Sequence, residues 1–230
     1  MRRRGESLNI NRCYALGGLI SPVMANVYLH YVLDIWFDKV VKKNCRGSAT
    51  MIQYADDVVF CFYCRTDAER FYTGIKERLA KFCLELSEEK TKVIPFGREA
   101  GKDAKPFDFL GFTFYGGKSR KGAFTVKLHT STKKLIAKRK AVKAWLRENM
   151  HTPVAYMIEA LNRKLQGHYN YYGVTHNSKK MVGFYQYVKW QLRRTLKRRS
   201  QRDKTNWDKL NKIFERFPIL KPNIIVNILE

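Results

Sequence analysis

Tyr54-Ala55-Asp56-Asp57 lies between Met51-Ile52 and Val58-Val59-Phe60, and this stretch constrains the fold more than any other. Its β-branched and aromatic flanks read as two strands, 50–54 and 57–63, joined by a turn at Ala55-Asp56. Two adjacent carboxylates at such a tip raise each other's pKa, and any burial adds to the penalty. A divalent cation would remove the conflict. The same four letters also fit a plain polar β-turn, where Asp is an ordinary residue. The neighbouring segments separate the two readings.

Upstream, Ser21-Pro22 reads as an N-cap followed by proline at the first helical position. Ala25, Tyr28, Leu29, Val32, Leu33, Trp36 and Val40 then recur at helical spacing, which predicts a helix over 22–43. Downstream, Thr66-Asp67-Ala68-Glu69 has the pattern of a capping box, and Phe71, Ile75, Leu79 and Phe82 continue one apolar face. Strands are expected at Val93–Phe96, Phe107–Tyr115 and Ala123–Leu128, with a basic turn from Gly116-Gly117 to Gly122. Three helices follow, over 132–149, 153–172 and 178–199, the second with Thr152 as cap and Pro153 in first position. A last helix forms around Trp207, Leu210, Ile213 and Phe214. The fold class is therefore α+β: a small antiparallel sheet with two helices, then an all-α region of about three helices.

Charge narrows the partners. The chain carries 45 Lys and Arg against 20 Asp and Glu, a formal net charge of +25 over 230 residues. Residues 131–204 alone hold 19 Lys and Arg against three acids. The runs fall on three consecutive predicted helices, at Lys138-Arg139-Lys140, Arg163-Lys164, Lys179-Lys180, Arg193-Arg194 and Lys197-Arg198-Arg199. Tyr169, Tyr171, Tyr172, Tyr185, Tyr187 and Trp190 are interleaved with them. Basic helices with aromatic neighbours point to nucleic acid, although a charge run can also be a solvated helix face. A membrane is not expected as a partner, because no apolar run approaches the roughly 20 residues of a spanning helix. Five cysteines at scattered spacings fit free thiols. Cys61 and Cys64 have metal-like spacing but lack a second Cys/His pair for zinc, so a place in the core is expected for one or both of them.

The order of motifs resembles one family. Gly17-Gly18-Leu19-Ile20-Ser21-Pro22-Val23-Met24-Ala25-Asn26 looks like the glycine-pair, Ser-Pro and Ala-Asn helix of group II intron reverse transcriptases. Tyr54 to Asp57 is similar to their metal-binding tip, Leu86 to Lys92 to their Glu-Lys-Thr-Lys segment, and Phe109-Leu110-Gly111-Phe112 to their primer grip. Gly167-His168-Tyr169-Asn170-Tyr171-Tyr172 resembles the signature of their maturase thumb. The resemblance implies a polymerase palm over 17–129, a basic thumb over 130–204, and a C-terminal helix and tail over 205–230, after an irregular N-terminus over 1–16.

It also implies RNA-directed DNA synthesis with two Mg²⁺ ions, Asp56 and Asp57 as metal ligands, and intron RNA, an RNA template with DNA primer and dNTPs as partners. Lys90 would approach the triphosphate or the leaving group, or be a plain surface lysine. Tyr54, Ala55, Gly17 and Gly18 would contact nucleotide and template, or form ordinary turns. Phe109 to Phe112 would hold the primer end, pack in a sheet, or do both. Tyr169, Tyr171 and Tyr172 would serve as thumb core or as stacking platforms. A cytoplasmic, intron-associated location follows from the same resemblance.

Two departures stand out. Tyr14-Ala15-Leu16 replaces the Thr-Pro-Gln run that precedes the glycine pair in the family. The family also carries its first metal aspartate on a strand upstream, for which residues 1–16 have no room, and Asp34 and Asp38 lie in a helix and substitute poorly. The sequence therefore reads as the carboxyl-terminal half of such an enzyme. A fragment that binds intron RNA without polymerising is the alternative. No cysteine follows Cys83, so the zinc-bearing endonuclease domain of some relatives is not expected.

Overall fold

The computed structural model describes residues 20–199 and 207–228. The expected N-terminal segment 1–16 and the pair Gly17-Gly18 lie outside the described residues. The chain forms two compact units, Met1–Pro95 and Phe96–Glu230. Strands β3 to β5, introduced below, thus share a unit with the basic helices rather than with the Asp-Asp hairpin.

In the first unit a helical segment begins as α1 (Ser21–Leu29) and continues through π-helical turns at His30–Asp34 and Phe37–Val41 and a 3₁₀ turn at Lys42–Asn44. The expected serine cap does not form. Backbone at Ile20 is already helical (φ −84°, ψ −19°), so Ser21 falls inside the first turn. No residue of α1 is buried. Burial starts one turn later with Val32, Leu33 and Phe37, and Val23, Met24, Val27 and Tyr28 remain exposed.

The hairpin follows as β1 (Ala49–Tyr54) and β2 (Asp57–Phe62), antiparallel from Ala49↔Phe62 to Tyr54↔Asp57. Helix α2 (Arg65–Ala80) packs its Phe71, Ile75 and Leu79 face against this sheet. Phe60, Phe62 and Phe37 surround Phe71, with ring centroids 4.4, 5.1 and 5.7 Å away. Phe60 and Phe62 are alternate residues of β2 and so share a face, as a two-residue period requires.

The expected capping box is absent, because α2 starts at Arg65 after Cys64 in extended backbone. Asp67 instead reaches back, accepting from the backbone N–H of Arg46 at 2.8 Å and from Arg70 at 3.3 Å. Cys61 is exposed on β2 rather than in the core. Val93–Phe96 is not a strand: no backbone ladder engages it among the described residues.

The second unit opens with an antiparallel sheet in the order β3 (Phe107–Phe109), β4 (Phe112–Lys118), β5 (Phe124–Thr130). One strand was expected over 107–115, but the chain reverses at Leu110-Gly111, pairing Phe109 with Phe112. Both turn residues take positive φ, +48° and +78°, as a type I′ hairpin turn requires. Gly116 and Gly117 belong to β4, opposite Val126 and Thr125, and the chain turns later, where Ser119 N–H donates to Ala123 at 2.7 Å.

Helices α3 (Thr132–Glu148), α4 (Val154–Tyr172), α5 (Ser178–Lys197) and α6 (Trp207–Arg216) then bury one continuous core. Leu146, Leu161, Phe184, Val188, Leu192 and Leu210 are fully enclosed in it. Pro153, extended at ψ 138°, is the N-cap of α4. Thr152 does not cap; its carbonyl accepts from Arg199 at 2.5 Å. The observed class is α+β, as the residue pattern implied.

Candidate active-site tip and nucleic-acid interface

The hairpin presents Asp56 and Asp57 at its tip. Pairing of Tyr54 with Asp57 leaves a two-residue connection whose first member, Ala55, takes φ +53°. Gln53 steadies it by donating from Nε2 to the Ala55 carbonyl at 3.0 Å. Tyr54, Ala55, Asp56 and Asp57 are all exposed. Neither carboxylate has an ion pair or hydrogen bond among the described residues.

A hard cation fits this donor set in kind. Mg²⁺ is ordinarily held through one or two carboxylates together with substrate phosphates. Among the described residues no group of three or more His, Cys, Asp or Glu side chains gathers to hold a metal. Asp34 and Asp38 are engaged locally, by His30 at 3.0 Å and by Lys42 at 2.8 Å. Lys42 also holds the Asp38 carboxyl below its usual range. Lys90 is exposed in the turn after Ser87, to whose carbonyl its backbone N–H donates at 3.1 Å, and no hydrogen bond or ion pair joins it to the hairpin.

In the second unit the four-residue segment Phe109 to Phe112 is a hairpin turn clasped by the aromatic end of α4. The Tyr171 hydroxyl donates to the Leu110 carbonyl at 2.8 Å. Phe112 stacks on Tyr171 (centroids 5.7 Å, planes at 17°) and meets Tyr172 edge-on at 5.1 Å. A Cβ on Gly111 would lie 2.9 Å from the Tyr172 hydroxyl. The Gly111 carbonyl accepts from Ser131 N–H at 2.9 Å, while the Ser131 hydroxyl caps α3 by accepting from Lys134 N–H.

Asn177 completes the clasp. Its Oδ1 accepts from Thr130 N–H at 2.8 Å, and its Nδ2 donates to the Tyr172 carbonyl at 2.7 Å. Tyr169 packs in the helical core, 2 % exposed, and burial pushes its hydroxyl pKa up. Tyr171 is half exposed. The sequence periodicity showed neither the turn nor its clasp.

The basic residues divide into two sorts. Some are held by rings or carbonyls: Arg139 lies over Tyr187, Lys164 over Trp145 and Arg193 over Trp207, at 5.1, 5.1 and 4.8 Å. Arg163 lies 4.0 Å from Glu159, and Arg199 donates to Thr152. Lys138 is half-buried on α3. Lys140, Lys179, Arg194, Lys197 and Arg198 are exposed, and Lys180 is partly so. Arg194 stacks over Trp190 at 5.1 Å.

Arg194 and Arg198 on the α5 side also face Lys143 and Arg147 of α3 across a groove of ≈ 360 Å³, with Met150, Gln191 and Thr195 completing its lining. Lys143 and Arg147 were missed as candidates because they stand singly in sequence. Their i, i+4 spacing, which places both on one helix face, is the signal that finds them.

A reverse transcriptase (RNA-dependent DNA polymerase) family model matches residues 2–114, and a group II intron maturase-specific domain model matches residues 136–214. The first match takes in residues 2–16, which the motif reading had left outside the resemblance. No curated protein matches the chain. No helix among the described residues is long and apolar enough to cross a membrane. With two consecutive domain matches in the order the motifs implied, the chain belongs to the group II intron reverse transcriptase and maturase family.

Proposed function

We propose that the chain contributes to RNA-directed DNA synthesis, with the hairpin tip as its catalytic point and the basic helices as its grip on RNA. The observation that carries this reading is the pair of adjacent, exposed carboxylates at Asp56 and Asp57, which have no partner among the described residues. Asp56 and Asp57 would hold Mg²⁺ there, which would supply a lowered pKa at the primer hydroxyl and charge to offset the departing pyrophosphate. Their carboxylates offer only oxygen donors, the kind such an ion requires. Tyr54, 66 % exposed, offers a ring beside the tip to template or nucleotide. Ala55 supplies the left-handed turn that projects both carboxylates.

Lys90 meets the triphosphate or protonates the leaving group, and Gly17 and Gly18 let backbone approach the nucleotide. Phe109 to Phe112 hold the primer end. The partners are an RNA template with its DNA primer, dNTPs and intron RNA, in a cytoplasmic intron ribonucleoprotein.

Primer extension on an RNA template with Mg²⁺ tests the reading. Extension is expected from the chain and is lost in Asp56→Asn. Equal extension by the Asp56→Asn/Asp57→Asn double variant overturns it. A second reading, RNA binding without polymerisation, draws support from the absence of a third carboxylate beside the tip among the described residues. Tight RNA binding with no extension in the same assay selects it.

A further inference from the structure

Residues 223–228, in the segment that follows α6, are held without burying their side chains. Ile224, Ile225, Val226 and Ile228 are all half-exposed. Hydrogen bonds fix them instead. The N–H groups of Ile225 and Val226 both donate to the Gly173 carbonyl, at 2.6 and 3.0 Å, and Thr175 N–H donates to the Val226 carbonyl at 3.0 Å. The Thr175 hydroxyl donates to Asn227 Oδ1 at 2.9 Å and accepts from the Ile228 N–H at 3.2 Å. Val174 and Val226 form a parallel bridge. A Cβ on Gly173 would lie 2.9 Å from the Asn223 carbonyl, so the segment's backbone closes directly over this residue.

Gly173 caps α4 at the end where helix carbonyls lack partners within the helix. Tyr171 and Tyr172, just before it, clasp the Leu110-Gly111 turn. Asn177 ties the same stretch from the other side, its N–H donating to the Val174 carbonyl at 3.1 Å and its Nδ2 to the Tyr172 carbonyl. Ordering residues 223–228 costs backbone entropy, and half-exposed side chains return little hydrophobic stabilisation. The consequence of their bonds is therefore local: they fix the end of α4 and, with it, the two tyrosines.

We propose that residues 223–228 are a strap that holds the Leu110-Gly111 turn in place, and that Thr175 is a positioning residue for the primer end. The proposal rests on the reading that Phe109 to Phe112 hold the primer. Thr175 acts through Gly173, Tyr171 and Tyr172.

Hydrogen exchange and primer extension test it on the full chain, native against Thr175→Val, which keeps the side-chain shape and removes the hydroxyl. The amides of residues 225–228 exchange about tenfold faster, as two lost hydrogen bonds require. The amides of Leu110 to Phe112 and of Ser131, which donates to the Gly111 carbonyl, quicken with them. The Leu146 amide in the helical core keeps its native rate. Thr175→Ser, which retains the hydroxyl, exchanges as the native chain does. In extension, Thr175→Val raises the KM for primer–template about fivefold and leaves the KM for dNTP unchanged. If the strap amides quicken while the turn keeps its native rates, or if Leu146 quickens equally, the strap assignment falls. If strap and turn quicken together but the primer–template KM does not move, or the native chain extends no primer, the primer-holding reading falls and the coupling of strap to turn stands.

Discussion

The hydroxyl of Tyr171 donates to the carbonyl of Leu110 at 2.8 Å, across 61 residues of sequence. This bond pins the apex of the β3–β4 turn to the last turn of α4. Tyr171→Phe removes it while keeping the ring stack on Phe112, so a loss of about 1 kcal/mol is expected. A urea titration of the two proteins checks the value, and an unchanged midpoint would show that the stack alone holds the turn.

Gly111 carries the tighter constraint. At φ +78°, with a Cβ position 2.9 Å from the Tyr172 hydroxyl, Gly111→Ala meets both a left-handed backbone penalty of roughly 1–2 kcal/mol and a steric one. Tyr172→Phe removes the oxygen that the methyl would strike. In a double-mutant cycle the second substitution should recover the steric part and leave the backbone part. Simple additivity of the two losses would place the clash elsewhere.

The same turn shows where sequence reading stops. Phe107 to Tyr115 alternates well enough to pass as one strand, because Leu110 is apolar and fits the period. Nothing local marks a leucine at φ +48° as a turn residue; the contacts that favour it come from Tyr171 and Tyr172, far along the chain. Val93–Phe96 fails for the opposite reason: its residues suit a strand, but a strand exists only where another edge pairs with it. The Asp-Asp hairpin and helices α3 to α5 were legible because their patterns are local and strongly periodic. Lys143, Arg147 and Gln191 were not, since each is unremarkable until two helices bring them to one groove.

Asn177 should behave as a structural node. It is fully buried and joins the end of β5, the end of α4 and the start of α5. Asn177→Ala strips the partner from the Thr130 N–H in a dry environment, so a loss of about 2–3 kcal/mol is expected. Differential melting and RNA binding separate the effects: stability should fall, and affinity should fall only where the protein has begun to unfold.

At the tip the prediction runs the other way. Asp56 and Asp57 are exposed and make no hydrogen bond or ion pair among the described residues, so Asp56→Asn/Asp57→Asn should shift stability by no more than about 0.5 kcal/mol. RNA affinity should hold or rise slightly as negative charge is removed. On the proposed metal-holding role, primer extension should drop by at least about a hundredfold, since a metal ligand would contribute several kcal/mol to the transition state. A large loss of stability in this variant would mark the pair as a structural turn.

His168 supplies the pH dependence. The imidazole is 3 % exposed, lies 4.4 Å from Phe184 and 4.7 Å from Tyr172 between ring centroids, and has no hydrogen-bond partner at either nitrogen among the described residues. Burial, reinforced by the nearby Lys138 charge, lowers its pKa to about 4 from 6.5. Above pH 6.5 the ring is neutral in both folded and unfolded chains and contributes no pH dependence. Between 6.5 and about 4 the unfolded chain binds a proton that the folded chain refuses, so stability falls with falling pH by about 1.4 kcal/mol per unit. At pH 5 the deficit from this residue is roughly 2 kcal/mol. His168→Phe fills the same space and removes the titration. Urea midpoints of native and variant proteins should nearly coincide at pH 8 and diverge in favour of the variant at pH 5. Parallel curves across that window would mean that His168 takes up its proton in the folded state as readily as in the unfolded one.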